Sequence, residues 1–564
     1  MDQNNLQQHY LTTMRQRFKA EVNRLTTKDM LILLDHRPDA QDLAFILSYI
    51  YALHWLKLNV PLKYWPALLA PFSKGSRGFL MELLLQATDT ANFIARYIQY
   101  WLAAPANSPI QRDQLLRLLA SHKQDPKLLE HRILQVWDEL KLFAETPKQQ
   151  YRQLGNQERI RYRNLLGNID QQRLALIESL PTPTTQAVNS SPFSKLGIVP
   201  TMGCRHSCRH CMHIWRPPMS KMQDLETAFQ IIAQHTSNLL FTGGDLTNHL
   251  ELFYQAIRTL KNISNFAILL NGDFATDLPT THKILQAMDI AIQTRPKDWP
   301  QTKILLQISF DEMHQEILAN KVGLLYERIP IARIANIVEA SVQYPRLQLG
   351  LLHKQNVLNF SMDVLYKGVF ARLTQELYRR NYQIKILDTA PSPRSKKHPL
   401  NPSQQGKVLK DATFILTSYP KRPILFTSSV IDGYGRAALL EPGEAINERA
   451  LLSQLLANNS SIQETFDTDL MFWANGWVTL FSAAHVCLGN WRTEDSKTIL
   501  ARHRKDPLTA ALQRFDPNLL TYYAEIRKDL DAQIAIATGP QHLLHMLIEE
   551  PDVRLHITQR LLSQ

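Results

Sequence analysis

Three of the four cysteines in this 564-residue chain, Cys204, Cys208 and Cys211, fall in one C-x3-C-x2-C run inside KLGIVPTMGCRHSCRHCMHIWRPPMS, residues Lys195 to Ser220. Thiols this close, directly after a short apolar run that reads as a strand, constrain the chain to a loop folding over a metal centre. Soft thiolates select zinc, copper(I) or an iron–sulfur cluster. Three of them leave a four-iron cluster one protein ligand short, and an iron with an open site can bind a small molecule through nitrogen and oxygen. Four cysteines in so long a chain also exclude a disulfide framework and fit a reducing, cytoplasmic compartment.

Downstream of the cysteines, strand-like and helix-like stretches alternate, which predicts parallel strands joined by crossover helices. Strands are expected at Leu196 to Met202, Asn238 to Thr242, Phe266 to Asn271, Ile304 to Phe310, Leu347 to Leu352 and Gln383 to Leu387. Helices are expected between them, including Asp224 to Gln234, His249 to Leu260 and Met362 to Arg380. In such folds ligands sit at the carboxyl ends of the strands. Cys204, Gly243, Asp273, Asp311 and His353 would all fall there.

The cysteine run, the NLLFTGGD turn at Asn238 to Asp245 and LLQISFDEMHQE at Leu305 to Glu316 together resemble the radical S-adenosylmethionine (SAM) enzymes. That resemblance implies an α/β fold with a partial (βα)6 barrel over residues 195–390. It also implies a [4Fe-4S] cluster on Cys204, Cys208 and Cys211 whose fourth iron is chelated by SAM. Gly243, Gly244 and Asp245 would meet the methionine amino group, and Ser309 and Asp311 the SAM ribose. Reductive cleavage of SAM would give a 5'-deoxyadenosyl radical that abstracts hydrogen from a substrate, with a flavodoxin or ferredoxin as electron donor. The segment CLGNWRTEDSKTILARHRKDPL from Cys487 resembles the SPASM or twitch extension of such enzymes, although a second cysteine-held cluster is excluded because only Cys487 remains. Relatives with this layout point to a peptide or protein substrate.

The remaining expectations are organisational. Residues 1–180 read as an all-helical domain, with apolar residues at three- and four-residue spacing in Asp113 to Lys123 and Leu128 to Phe143. Residues 181–194 read as a Pro-containing linker. Residues 391–564 read as a small α+β extension followed by helices, with strands around DGYG at Asp432 and a hairpin turning at Asn475-Gly476. The polar N-terminus lacks a secretory pattern, and Leu43 to Leu58 is short for a membrane span, so no membrane is expected. The net charge of +12 permits nucleic acid as partner, and an RNA-modifying enzyme is the alternative within the class.

Several residues carry two expectations each. Zinc could take Cys204, Cys208, Cys211 and His213 as a Cys3His set, making the protein a non-catalytic, protein-binding scaffold. His206 and His210 are otherwise surface or supporting groups. Asp245 and Asp311 could each cap a following helix. Cys487 is a hydrogen-atom donor, a remnant of a lost cluster, or a buried core thiol.

Overall fold

The computed structural model describes residues 152–181, 193–216, 225–311, 313–315, 317–319, 325–354, 368–391, 410–440, 447–457 and 466–563. Most of the expected helical domain at 1–180, the core of the 181–194 linker, Leu43 to Leu58 and residues 392–409 lie outside them.

The centre is an 11-stranded sheet. Its strands are β1 (Leu196–Val199), β2 (Asn238–Phe241), β3 (Asn265–Leu270), β4 (Lys303–Ser309), β7 (Leu347–Lys354), β8 (Ile384–Pro391), β9 (Lys410–Leu416), β10 (Ile424–Ser429), β11 (Leu470–Trp473), β12 (Trp477–Leu480) and β13 (Cys487–Asn490). The short pair β5 (Ile317–Ala319) and β6 (Leu325–Glu327) forms a separate antiparallel ribbon. Across the large sheet the order is β13-β12-β11-β1-β2-β3-β4-β7-β10-β9-β8. Every neighbouring pair from β11 to β10 is parallel, whereas the two outer strands on each side are antiparallel.

Local sequence explains the parallel centre. All four residues of β1 are buried, as expected of a strand covered on both faces. The helix Leu250–Thr259 buries Leu250, Phe253, Tyr254 and Ile257, an i, i+3, i+4, i+7 stripe. Its Phe253 meets Phe241 of β2 edge-on at 5.1 Å and Phe266 of β3 at 6.2 Å. Each ring so buried contributes about 2 kcal/mol. The helix Leu278–Gln293 starts where Asp277 accepts from the Thr280 amide, with proline in its first turn.

Two expectations are corrected here. The stretch near Gln383 forms β8, but it lies at the sheet edge, antiparallel to β9; the strand beside β7 is β10. DGYG does not join two strands: β9 and β10 are adjacent through residues 417–423, and Asp432 to Gly435 leads out of β10 toward the cysteine loop. The hairpin at Asn475-Gly476 is present, with Gly476 at φ +103°, yet it is built into the main sheet through β11 and β1.

The C-terminal helix Pro551–Leu562 packs on Asn168–Ser179, where Arg554 and Asp170 pair at 2.9 Å in the interior and Arg173 pairs with Asp506. Among the described residues no helix is long and apolar enough to cross a membrane.

Candidate metal and cofactor site

The cysteine loop leaves β1 and turns back over the carboxyl ends of the parallel strands. A tight turn brings the Cys211 amide to the Cys208 carbonyl at 3.2 Å. Cys208 is buried, Cys204 and Cys211 are half-buried, and no cysteine is in a disulfide. All three line one cavity of about 230 Å³. Its other walls come from the ends of the strands: Val199, Thr242, Asn271, Ser309, Lys354 and Trp473.

The loop is fixed from three sides. Asp273, past the end of β3, takes His206 at 2.8 Å and also pairs with Arg205 and Arg333. Burial would raise its carboxyl, but His206 and Arg205 hold it below the usual range. Arg216 donates to the carbonyls of Cys204 and His206, the latter at 2.6 Å. From the helix at 152–163, Glu158 accepts from the amides of Ile214, at 2.9 Å, and Trp215. The Arg436 amide donates to the Cys211 carbonyl at 2.8 Å. Gly435, at φ +66°, lies so close that a Cβ there would be 2.1 Å from the Met212 carbonyl.

The GGD turn packs on this loop. Gly244 N donates to Thr201 O at 2.8 Å and Asp245 N to Gly203 O at 2.7 Å. A Cβ on Gly243 would stand 2.3 Å from Thr201 O, and one on Gly244 2.2 Å from Gly203 O. Both glycines line the cavity, and their small size lets the turn approach the cysteine loop's own backbone. Asp245 does not line it; its Oδ1 accepts from the amide and hydroxyl of Thr247 at 3.0 and 2.6 Å, a capping arrangement.

Ser309 and Asp311 both line the cavity. Asp311 is fully buried: its Oδ1 accepts from the amides of Met313 and His314, and its Oδ2 lies 2.8 Å from His314 Nδ1 and 3.3 Å from His210 Nε2. Burial would raise this carboxyl, but the two imidazoles hold it well below its usual range. Burial lowers His210, whereas in His314 the Asp311 carboxylate and Cys208 outweigh burial and raise the ring well above its ordinary value. His210, Asp311 and His314 present ligand atoms within 4.8 Å of one another, a two-histidine, one-carboxylate set with the chemistry to hold a divalent metal.

The thiols have a different spread. A single tetrahedral zinc would bring its sulfurs to about 3.8 Å, given Zn–S bonds of about 2.3 Å. Among the described residues, Cys204, Cys208 and Cys211 do not gather within 4.8 Å as a set, alone or with His213. His213 is instead engaged through Nδ1, 3.4 Å from the Tyr162 hydroxyl and 3.8 Å from Glu158. Three thiols facing one cavity, with no fourth protein thiol beside them, fit an iron–sulfur cluster.

Residues 198–309 match the family model of a 4Fe-4S single cluster domain. A cluster-binding domain is therefore present, running from β1 to the last residue of β4 and containing all three cysteines and the GGD turn. No curated protein matches the chain.

Cys487 is elsewhere. It lines neither this cavity nor the one beside it; it packs against Tyr162, Leu165 and Trp477, and its thiol donates to Gly489 O at 3.4 Å. Burial pushes that thiol up to about 12. Among the residues that line the site, His314, Lys354, Asp432 and Trp473 had no assigned role in the sequence. A histidine one turn after an aspartate in DEMH was the only local signal for any of them.

Proposed function

We propose that the protein is a radical SAM enzyme acting on a peptide or protein. The convergence of three thiols and a glycine turn on one cavity, at the carboxyl ends of parallel strands, is the observation that carries this reading. The parallel strands β1 to β4, β7, β10 and β11 would serve as the partial barrel, and a flavodoxin- or ferredoxin-like protein would deliver electrons in the cytoplasm. Cys204, Cys208 and Cys211 would hold three irons of the [4Fe-4S] cluster, leaving the fourth for SAM. When bound, this pair supplies a 5'-deoxyadenosyl radical able to take hydrogen from an unactivated carbon.

The chain's own residues do the rest. Gly243 and Gly244 keep the turn tight against the cysteine loop, so backbone lines the cavity where a side chain would intrude. Asp311 fixes the orientation of His210 and His314 through its Oδ2. Lys354 lines the cavity with Nζ held by Val430 O at 3.0 Å, a fixed positive charge suited to a carboxylate. Val199, Met202, Leu352 and Trp473 supply apolar wall that excludes water. The test is anaerobic reconstitution of the full chain with iron and sulfide, then SAM and dithionite. Formation of 5'-deoxyadenosine that Cys208→Ala abolishes is expected; a loaded cluster with no SAM cleavage would refute the reading.

A further inference from the structure

A second cavity, of about 370 Å³, lies against the first, and Met212, His213, Met471 and Trp473 line both. Its walls bring together the helix at 152–163, the residues just after Cys211, the turn at Gly433 to Gly435, the β11–β12 hairpin and the C-terminal helices. Nothing in the radical chemistry proposed above uses this space.

Its polar groups include four imidazoles, beside the carboxylates of Glu158 and Glu549, the latter 3.8 Å from His545 Nε2. His485 is more than nine-tenths buried, and its Nε2 has no hydrogen-bond partner. The Thr538 amide donates to His542 Nδ1 at 3.1 Å, so the neutral ring carries its proton on Nε2 and offers a donor. His545 Nδ1 lies 3.3 Å from Ser482 O, a carbonyl that only an N–H can meet, which leaves Nε2 as an acceptor. Tyr434 stacks on His545 at 4.2 Å and 7°, fixing the ring.

The chamber is hostile to charge. Arg161 is its one lysine or arginine among the described lining residues, and both sides of the guanidinium are taken, by Glu549 at 2.6 Å and Glu550 at 3.2 Å. No cation is left to meet a phosphate or carboxylate. Burial lowers His542 to about 4 and His545 to about 3, and raises Glu549 to about 7. The same desolvation would act on any charged group brought in. Met212, Met471 and Phe481 offer apolar contact, and Ile536 stands at the lining while 62% exposed.

We infer that this chamber is the substrate site and takes an uncharged side chain of a peptide together with its flanking amide. A peptide amide presents one donor and one acceptor, matching the acceptor of His545 and the donor of His542. The volume is at the small end of ligand pockets, suited to one side chain and an adjoining backbone unit. Its role in catalysis rests on the radical SAM reading, but the binding does not.

The test uses the full chain and needs no cluster. N-acetyl-L-leucinamide, N-acetyl-L-tyrosinamide, N-acetyl-L-lysinamide and uridine 5'-monophosphate are compared by saturation-transfer NMR. The neutral amides are expected to bind, to lose at least tenfold in affinity in Ala438→Trp, which fills the chamber from an exposed position, and at least threefold in His542→Phe. Circular dichroism confirms that both variants fold. Absence of neutral-amide binding, binding unchanged in both variants, or preferential binding of the lysine amide or the nucleotide would each overturn the inference. If the amides bind as expected and 5'-deoxyadenosine never forms, the radical reading fails while the chamber stands.

Discussion

Cys208 and Cys487 are both buried thiols, and their surroundings differ in every other respect. Cys208 sits in a loop held by Asp273, Arg216, Glu158 and the Arg436 amide, and it faces a cavity beside a histidine–aspartate–histidine set. Cys487 lies in an aromatic and aliphatic cluster, hydrogen-bonded to its own strand, away from both cavities. Burial alone therefore does not make a cysteine structural or functional. What distinguishes the two is convergence: groups from four parts of the chain place Cys204, Cys208 and Cys211, and none aims Cys487 at a ligand.

The largest effect that can break this contrast is on metal content. Cys208→Ala should reduce reconstituted iron per chain to background, and Cys487→Ala should leave it unchanged; iron lost equally from both would erase the distinction. Next comes the support of the loop. Asp273→Ala removes the carboxylate partner of His206 and leaves Arg333 only the main-chain carbonyl of residue 273, at 2.7 Å, so it should cost about 1 kcal/mol in urea unfolding, limited further because Arg205 is exposed and screened. The same variant should release iron faster to a chelator.

Cys487→Ala should cost about 1 kcal/mol, as a small core truncation does. With its thiol buried and pushed up to about 12, Cys487 should resist iodoacetamide at pH 8 in the folded metal-free protein, whereas the half-buried Cys204 and Cys211 are labelled, Cys204 slowed because burial raises its thiol as well. Mass spectrometry of the digested protein reads this directly. A separate effect lies in the second chamber. His542 and His545 titrate near 4 and 3 when folded and near 6.5 when unfolded, so the unfolded chain binds more protons between these values. Glu549, raised to about 7, acts in the opposite sense between 4.5 and 7, but two histidines outweigh one carboxyl, so stability should fall as pH drops from 6.5 toward 4, with a shallower slope in His542→Gln.

Much of the site was legible because its signal is local. The cysteine spacing and the GGD turn each lie within one loop, and the apolar runs that became β1 to β4 and β7 are each one continuous segment, buried throughout in β1 and on alternate residues in most of the others. What escaped depends on residues far apart in the chain. β8 and β10 are both plausible strands by composition, and only the sheet reveals that Ile424–Ser429 lies beside β7. Glu158 and Tyr162 belong to a helix more than forty residues before Cys204, with no motif to tie them to the cysteine loop. Asp245 and Asp311 illustrate a third case, since each spends carboxylate oxygen on nearby amides, the capping role that the sequence also allowed.

The central claim is that three cysteines hold a cluster with one iron left open to SAM. Electron paramagnetic resonance of the reduced, reconstituted full chain, recorded with and without SAM, tests it most directly. The account predicts a [4Fe-4S]+ signal whose g values shift on adding SAM and which is absent from Cys208→Ala. A cluster signal unchanged by saturating SAM, or one that survives the loss of Cys208, would contradict it.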